Sequence, residues 1–325
     1  MREADDLGRR CLQIAQASKN LGMLLEAHHH LWATKFYMGD YLAADHHAGC
    51  GMAIYNPDRD HQLTYIYTGH DPGVCCRNFS ALMLCIRGYP DQSLERCREA
   101  MALAERESHS VTLATVQANL AIVHLMRREP EEGREWAEKQ LDVSIRYGLP
   151  LLAATGRFYF GWAHAQLGQM DEGIKNMREG VAGIAATGAD MGMNFYLAVL
   201  AQACGEYGEA DEGLALLEKG LGVLAKSGSK YQLPELLRIK GELLSRLDPR
   251  KALAEKWFRK SLAMARSEGA RSTELRAAMN LARCCIDRGR DKECVNILAP
   301  IYAWFTEGFD TPDLIEARQL LDRLR

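Results

Sequence analysis

The chain has 325 residues, 47% of them hydrophobic and 26% charged, with only 9 Pro against 28 Gly; that balance supports a packed core and excludes a disordered chain. A net charge of −3 argues against a nucleic-acid-binding protein, which needs a strongly basic face. No apolar run approaches the roughly 18 residues of a membrane span and the N-terminus lacks an apolar signal segment, so a cytoplasmic protein without a membrane partner is expected. The ten cysteines are scattered without a C-x-x-C pair, as reduced thiols in a core would be.

In chain order the first feature is residues 1–19, an amphipathic segment with Cys11, Ile14 and Ala15 on its apolar stripe. It reads as the unpaired second helix of a truncated unit. A repeat follows across residues 20–310. Gly39-Asp40, Gly88-Tyr89, Arg128-Glu129, Gly168-Gln169, Gly208-Glu209, Asp248 and Gly289-Arg290 mark turns spaced by about 40 residues, except for 49 between the first two. On both sides of each turn apolar residues recur at i, i+3, i+4 and i+7, which predicts seven hairpins of paired helices. A small residue stands five or six positions after each turn (Ala44, Ser93, Gly133, Gly173, Gly213, Ala254, Cys294) and another about seven before it (Ala81, Ala121, Gly161, Ala201, Gly241, Ala282), so small side should face small side where the helices cross. Residues 311–325 form a last amphipathic helix, with Thr311 as its cap and Pro312 in its first turn, which would shield the final hairpin.

This pattern resembles the tetratricopeptide repeat in a variant with a longer period. It implies an all-α, right-handed superhelical array of helical hairpins, an α-solenoid. Two stretches carry a larger resemblance: Leu298-Ala299-Pro300-Ile301-Tyr302-Ala303-Trp304-Phe305-Thr306-Glu307-Gly308-Phe309-Asp310-Thr311-Pro312-Asp313-Leu314, and the set Tyr55-Asn56-Pro57, His61, Gly69, Asp71-Pro72-Gly73-Val74 and Gly88-Tyr89-Pro90-Asp91-Gln92. They are similar to the C-terminal repeat region of a large bacterial family in which a nucleotide cyclase or other effector precedes a signal-transduction ATPase and then a tetratricopeptide array. Thr68 and Asn56 depart from that family's usual Tyr and Asp. The resemblance implies a regulatory array that belongs to a longer protein or stands alone, with those ATPase or cyclase domains, or a protein or peptide, as partners.

The chain contains no G-x-x-x-x-G-K-[ST] and no cyclase-like carboxylate pair, and its Ser, Cys and His residues form no nucleophile–base pattern by spacing, so no catalytic residue and no cofactor are expected. The Gly-rich stretch 180–188 has no strand before it, and Gly188 reads as a helix cap. Seven of the ten histidines precede residue 71: His28, His29, His30, His46, His47, His61 and His70. Adjacent histidines on a helix diverge by about 100°, so a solvated polar face is expected and no metal. The extra residues in 56–74 read as a connector packed on the first hairpins.

In an array of this kind the first helix of each hairpin lines the concave face. That register places Asn78, Leu82 and Ile86, then Ile122, Leu125 and Met126, then Phe158, Trp162 and Gln166 on the inner wall. It continues with Phe195, Gln202 and Glu206, then Arg238, Glu242 and Arg246, and Arg283, with Cys85, Glu235, Arg276, Met279 and Asp287 in the same rows. The first rows are apolar and the last charged, which suits an extended peptide or helix with an anchoring side chain; a metabolite enclosed near Trp162 and Phe195 is the alternative.

Overall fold

The computed structural model describes residues 1–67, 69–248 and 252–323, and among them seventeen α-helices and no strand. Thr68, residues 249–251 and residues 324–325 lie outside the described residues. After α1 (Arg2–Ser18) come paired helices: α2 (Leu21–Tyr37) with α3 (Tyr41–Ile54), α5 (Pro72–Ile86) with α6 (Pro90–Glu107), α7 (Ser110–Arg127) with α8 (Pro130–Arg146), and α9 (Pro150–Gln166) with α10 (Met170–Ala186). The series continues with α11 (Met193–Tyr207) and α12 (Ala210–Ser227), α13 (Leu233–Leu247) and α14 (Ala252–Glu268), and α15 (Arg271–Ile286) and α16 (Asp291–Tyr302), closed by α17 (Pro312–Arg323). Together they make a right-handed superhelical array.

Local chemistry explains where the helices stop. Gly39, Gly88, Gly168, Gly208 and Gly289 take left-handed backbone at the tips of their hairpins, and Arg128 adopts it at φ 63° despite its side chain. Asp248 instead leaves its helix through extended backbone. Ser108, Gly148, Gly188, Gly228 and Gly269 take the same left-handed form between hairpins, so reversals alternate about every twenty residues. Helix starts use Pro in the first turn at Pro72, Pro90, Pro130, Pro150 and Pro234, and side-chain caps at Asn20, Asp40 and Asp71.

Small residues let paired helices cross closely. The Ser93 hydroxyl donates to the Ala81 carbonyl at 2.7 Å, and the Cys294 thiol reaches the Ala282 carbonyl at 3.2 Å. A Cβ on Gly161 would fall 2.6 Å from the Gly173 carbonyl oxygen, which leaves no room for any side chain there. Eight cysteines are buried within these interfaces, Cys50 is half-buried and Cys11 is exposed.

Three features position the site. Helix α1 lies on α2, where Lys35 pairs with Asp5 at 2.8 Å and His30 Nε2 meets the Ala4 carbonyl at 3.0 Å. The inserted segment folds as a short helix α4 (Pro57–Asp60) and a 3-10 turn (His61–Tyr65), then meets the N-cap Asp71, which accepts from the Tyr55 hydroxyl at 2.9 Å. Most consequential, the array curls until its arms touch. The Lys230 amide donates to the Tyr37 carbonyl at 2.9 Å, the Ser272 hydroxyl donates to the Cys85 carbonyl at 2.5 Å, and Glu307 accepts from the amides of Asp91 and Gln92. Aromatic rings seal this closure: Tyr231 lies 4.7 Å from Phe36 and 5.5 Å from Tyr37, and Phe79 stands edge-on to Phe36.

Candidate functional site: the lumen of the superhelix

Closure converts the concave face into a cavity of about 250 Å³ at the centre of the chain. Its wall comes from the first helices α5, α7, α9, α11, α13 and α15, with α17 completing it. Buried Trp162, Phe195, Leu236 and Ile239 give an apolar floor, and exposed Arg128, Gln166, Glu206 and Arg246 give a polar mouth.

Twelve of the sixteen wall residues named from the sequence line this cavity: Ile86, Leu125, Met126, Trp162, Gln166, Phe195, Gln202, Glu206, Arg238, Glu242, Arg246 and Arg283. Glu235, Arg276 and Met279 from the same rows line it as well. The other four do not. Phe158 is fully buried against Tyr159 and against Tyr196 of the next hairpin; Asn78 and Leu82 are buried in α5, and Ile122 packs half-buried on the main core. These are the upper rows of the wall, where stacking of consecutive hairpins takes the apolar side chains. Sequence reasoning missed Arg128, Asp313 and Glu316. The acidic pair on α17, three positions apart and so on one helix face, was the available signal.

Charge is balanced around the lumen, with five arginines and five carboxylates on the wall. Arg238 is nearly inaccessible and donates to Glu235 at 2.7 Å, with Glu242 as its second carboxylate partner. Asn280 ties in by donating to Glu242 at 3.0 Å. Arg276 donates to Asp313 at 2.7 Å and to the Met126 carbonyl, while Arg128 reaches both Asp313 and Glu316 at 3.0 and 2.9 Å. Arg283 donates to Glu316 at 2.5 Å. Burial opposes ionisation of Glu235, but the guanidinium groups of Arg238 and Arg276 prevail and hold its carboxyl down at about 2. Two charges stay outside this network: among the described residues neither Arg246 nor Glu206 forms an ion pair, and Glu206 only accepts from Gln166 at 3.1 Å and Gln202 at 3.2 Å.

No protein-family model matches the chain. An uncharacterized protein of Rhizobium meliloti strain 1021 is 24% identical over 266 residues, which is 82% of this chain and 26% of that protein. The chain therefore spans about a quarter of that relative's length. Among solved structures, the Rap conjugation gene regulator of plasmid pLS20 in complex with the Phr* peptide superposes with TM-score 0.63 at 11% identity, covering 95% of this chain and 75% of the regulator. Aspartyl phosphate phosphatase F from Bacillus subtilis gives 0.55 at 13% identity (89% and 73% covered), and NprR in complex with its cognate peptide NprX gives 0.54 at 12% (90% and 80% covered). The fold is a tetratricopeptide-like solenoid. Likeness at these identities is one of architecture. No helix among the described residues is long and apolar enough to cross a membrane.

Proposed function

We propose that this solenoid is a non-catalytic regulatory array that binds a short peptide segment in its lumen and controls an attached or associated ATPase or cyclase-type signalling module. The supporting observation is the lumen itself, with a buried apolar floor at Trp162 and Phe195 beneath a mouth that presents Arg246 and Glu206, neither of which forms an ion pair among the described residues. A cavity of about 250 Å³ lies below the roughly 300–1,000 Å³ that enclose a drug-sized ligand; it suits one anchoring side chain of an extended peptide whose acidic and basic groups meet Arg246 and Glu206. The Rap regulator in complex with Phr* and NprR in complex with NprX, which share this architecture, support the peptide reading. The regulatory output rests on the multidomain resemblance and on the greater length of the Rhizobium relative.

Panning a random peptide library on the full chain tests it. Enriched peptides should carry an apolar anchor beside opposite charges, lose binding to Trp162→Ala, and exchange their acidic position for a basic one on Arg246→Glu. Failure to enrich any peptide that Trp162→Ala releases, together with thermal stabilisation by small metabolites, would replace the peptide reading with an enclosed-metabolite one.

A further inference from the structure

Not all the histidines form the solvated face that their spacing suggests. His28 and His29 are buried at 8% exposure each, and the second of them faces a cysteine from another helix. His29 Nε2 lies 3.3 Å from Cys75 Sγ, and its other ring nitrogen, Nδ1, lies 3.1 Å from Glu26 Oε2. The His70 ring stands edge-on to His29 with centroids 5.4 Å apart, and one ligating atom each from His29, His70 and Cys75 falls within a 4.8 Å span. Three separate elements supply this trio: α2, the inserted segment and the first turn of α5.

We propose that His29, His70 and Cys75 form a binding site for one divalent zinc-type cation. Typical Zn–S and Zn–N bond lengths of about 2.3 and 2.1 Å at a tetrahedral angle require S and N to stand about 3.6 Å apart, close to the separation found. Glu26 supplies the outer support such sites use, a carboxylate that accepts from the far ring nitrogen and turns the other toward the metal. Its second oxygen, Oε1, is buried without a hydrogen-bond partner. A divalent ion between one thiolate and two neutral imidazoles, backed by that carboxylate, brings the cluster to charge balance and offsets the cost of burying Glu26. His70, half-buried beside exposed Gly69, provides the entry side. Three protein ligands leave a fourth position for water, and the ion would pin the inserted segment to α2 and α5. The other candidate trio, Cys204 with Glu209 and Glu212, is disfavoured because Arg178 already occupies both carboxylates at 2.9 and 3.0 Å.

The test uses the full chain, stripped with chelator and titrated with Zn²⁺ against a chromophoric competitor, and in parallel with Co²⁺ followed by absorption. One equivalent per chain is expected, and Co²⁺ should give a thiolate charge-transfer band with tetrahedral d–d intensity. His70→Ala, in an exposed stretch, should keep the helical circular dichroism yet weaken binding by about 100-fold, and Glu26→Gln by about 10- to 100-fold. Cys75→Ser should abolish the charge-transfer band. His47→Ala, which alters a separate contact between His28 and His47 at 3.0 Å, should change nothing. A Co²⁺ complex without the thiolate band, binding that His70→Ala leaves intact, or binding that His47→Ala removes would overturn the proposal. If Cys75→Ser fails to fold, the His70→Ala and His47→Ala results decide.

Discussion

The Ser229 hydroxyl donates to the Tyr37 carbonyl at 2.8 Å, joining points 192 residues apart. A repeat array usually stacks neighbour on neighbour, so that stability propagates locally; here the fifth and sixth hairpins return to the first. Tyr231, 5% exposed between Phe36, Tyr37 and Phe195, is the side chain that fills this junction. Tyr231→Ala should cost about 3 to 5 kcal/mol, as truncation of a buried aromatic does. Because the junction links both arms, urea unfolding followed by hydrogen exchange should show α2 and α13 losing protection together. Loss confined to α13 would mean that the arms are energetically independent.

The buried ion cluster of the lumen yields a second outcome. Glu235→Gln leaves Arg238 and Arg276 in place with one carboxylate fewer, and breaking a buried pair from one side costs about 3 to 5 kcal/mol. The lower end is expected, since Glu242 and Asp313 remain as partners. The double variant Glu235→Leu/Arg238→Leu should cost less than the single change, because it removes charge of both signs. A urea-denaturation cycle that finds the two effects simply additive would show that the pair is not coupled.

Much of this was legible in the sequence because the signals are local. A glycine with positive φ at five of the seven tips, a small residue where paired helices cross, and apolar spacing at 3.6 residues recur with the repeat, and they point to a wall that includes Trp162, Phe195 and Arg238. Closure was not legible. It depends on curvature accumulated over seven hairpins, and its contacts, such as Ser229 with Tyr37 or Arg128 with Asp313, join residues that no periodicity relates. The same holds for His29, His70 and Cys75: the run His28-His29-His30 drew attention on one helix, whereas the trio is assembled from three elements.

Closure also carries a pH signature. Glu268 sits beside Lys230 and Gly39 at the junction of the arms; its Oε2 is buried without a partner, and burial pushes its carboxyl up to about 7 despite Lys230. With the folded value above the unfolded one, the folded chain binds more protons between roughly pH 4.5 and 7, so this group's contribution to stability falls as pH rises through that window. Glu268→Gln should remove this group's contribution to the pH dependence. Discounted for partial exposure, the variant should be on the order of 1 kcal/mol more stable than the native chain at pH 8 and about equal at pH 5. Urea midpoints of the native chain and the variant at the two pH values give the answer, and a difference between the two proteins that does not grow from pH 5 to pH 8 would contradict the assignment.

Two helical glycines make the final contrast, since both have ordinary helical backbone and differ only in their surroundings. Gly161, at the crossing of α9 and α10, has the Gly173 carbonyl oxygen and the Met177 nitrogen within 2.6 and 2.7 Å of where a Cβ would go. Those neighbours are backbone, so Gly161→Ala must push two helices apart and should cost about 1 to 3 kcal/mol. Gly222, in the interior of α12, has nothing within 4 Å of the same point. There alanine lowers the entropy of the unfolded chain without a clash, so Gly222→Ala should add about 0.5 to 1 kcal/mol. Thermal denaturation of the two variants should therefore move in opposite directions. A stabilised Gly161→Ala would show that the small–small crossing is not what sets the hairpin's helix separation.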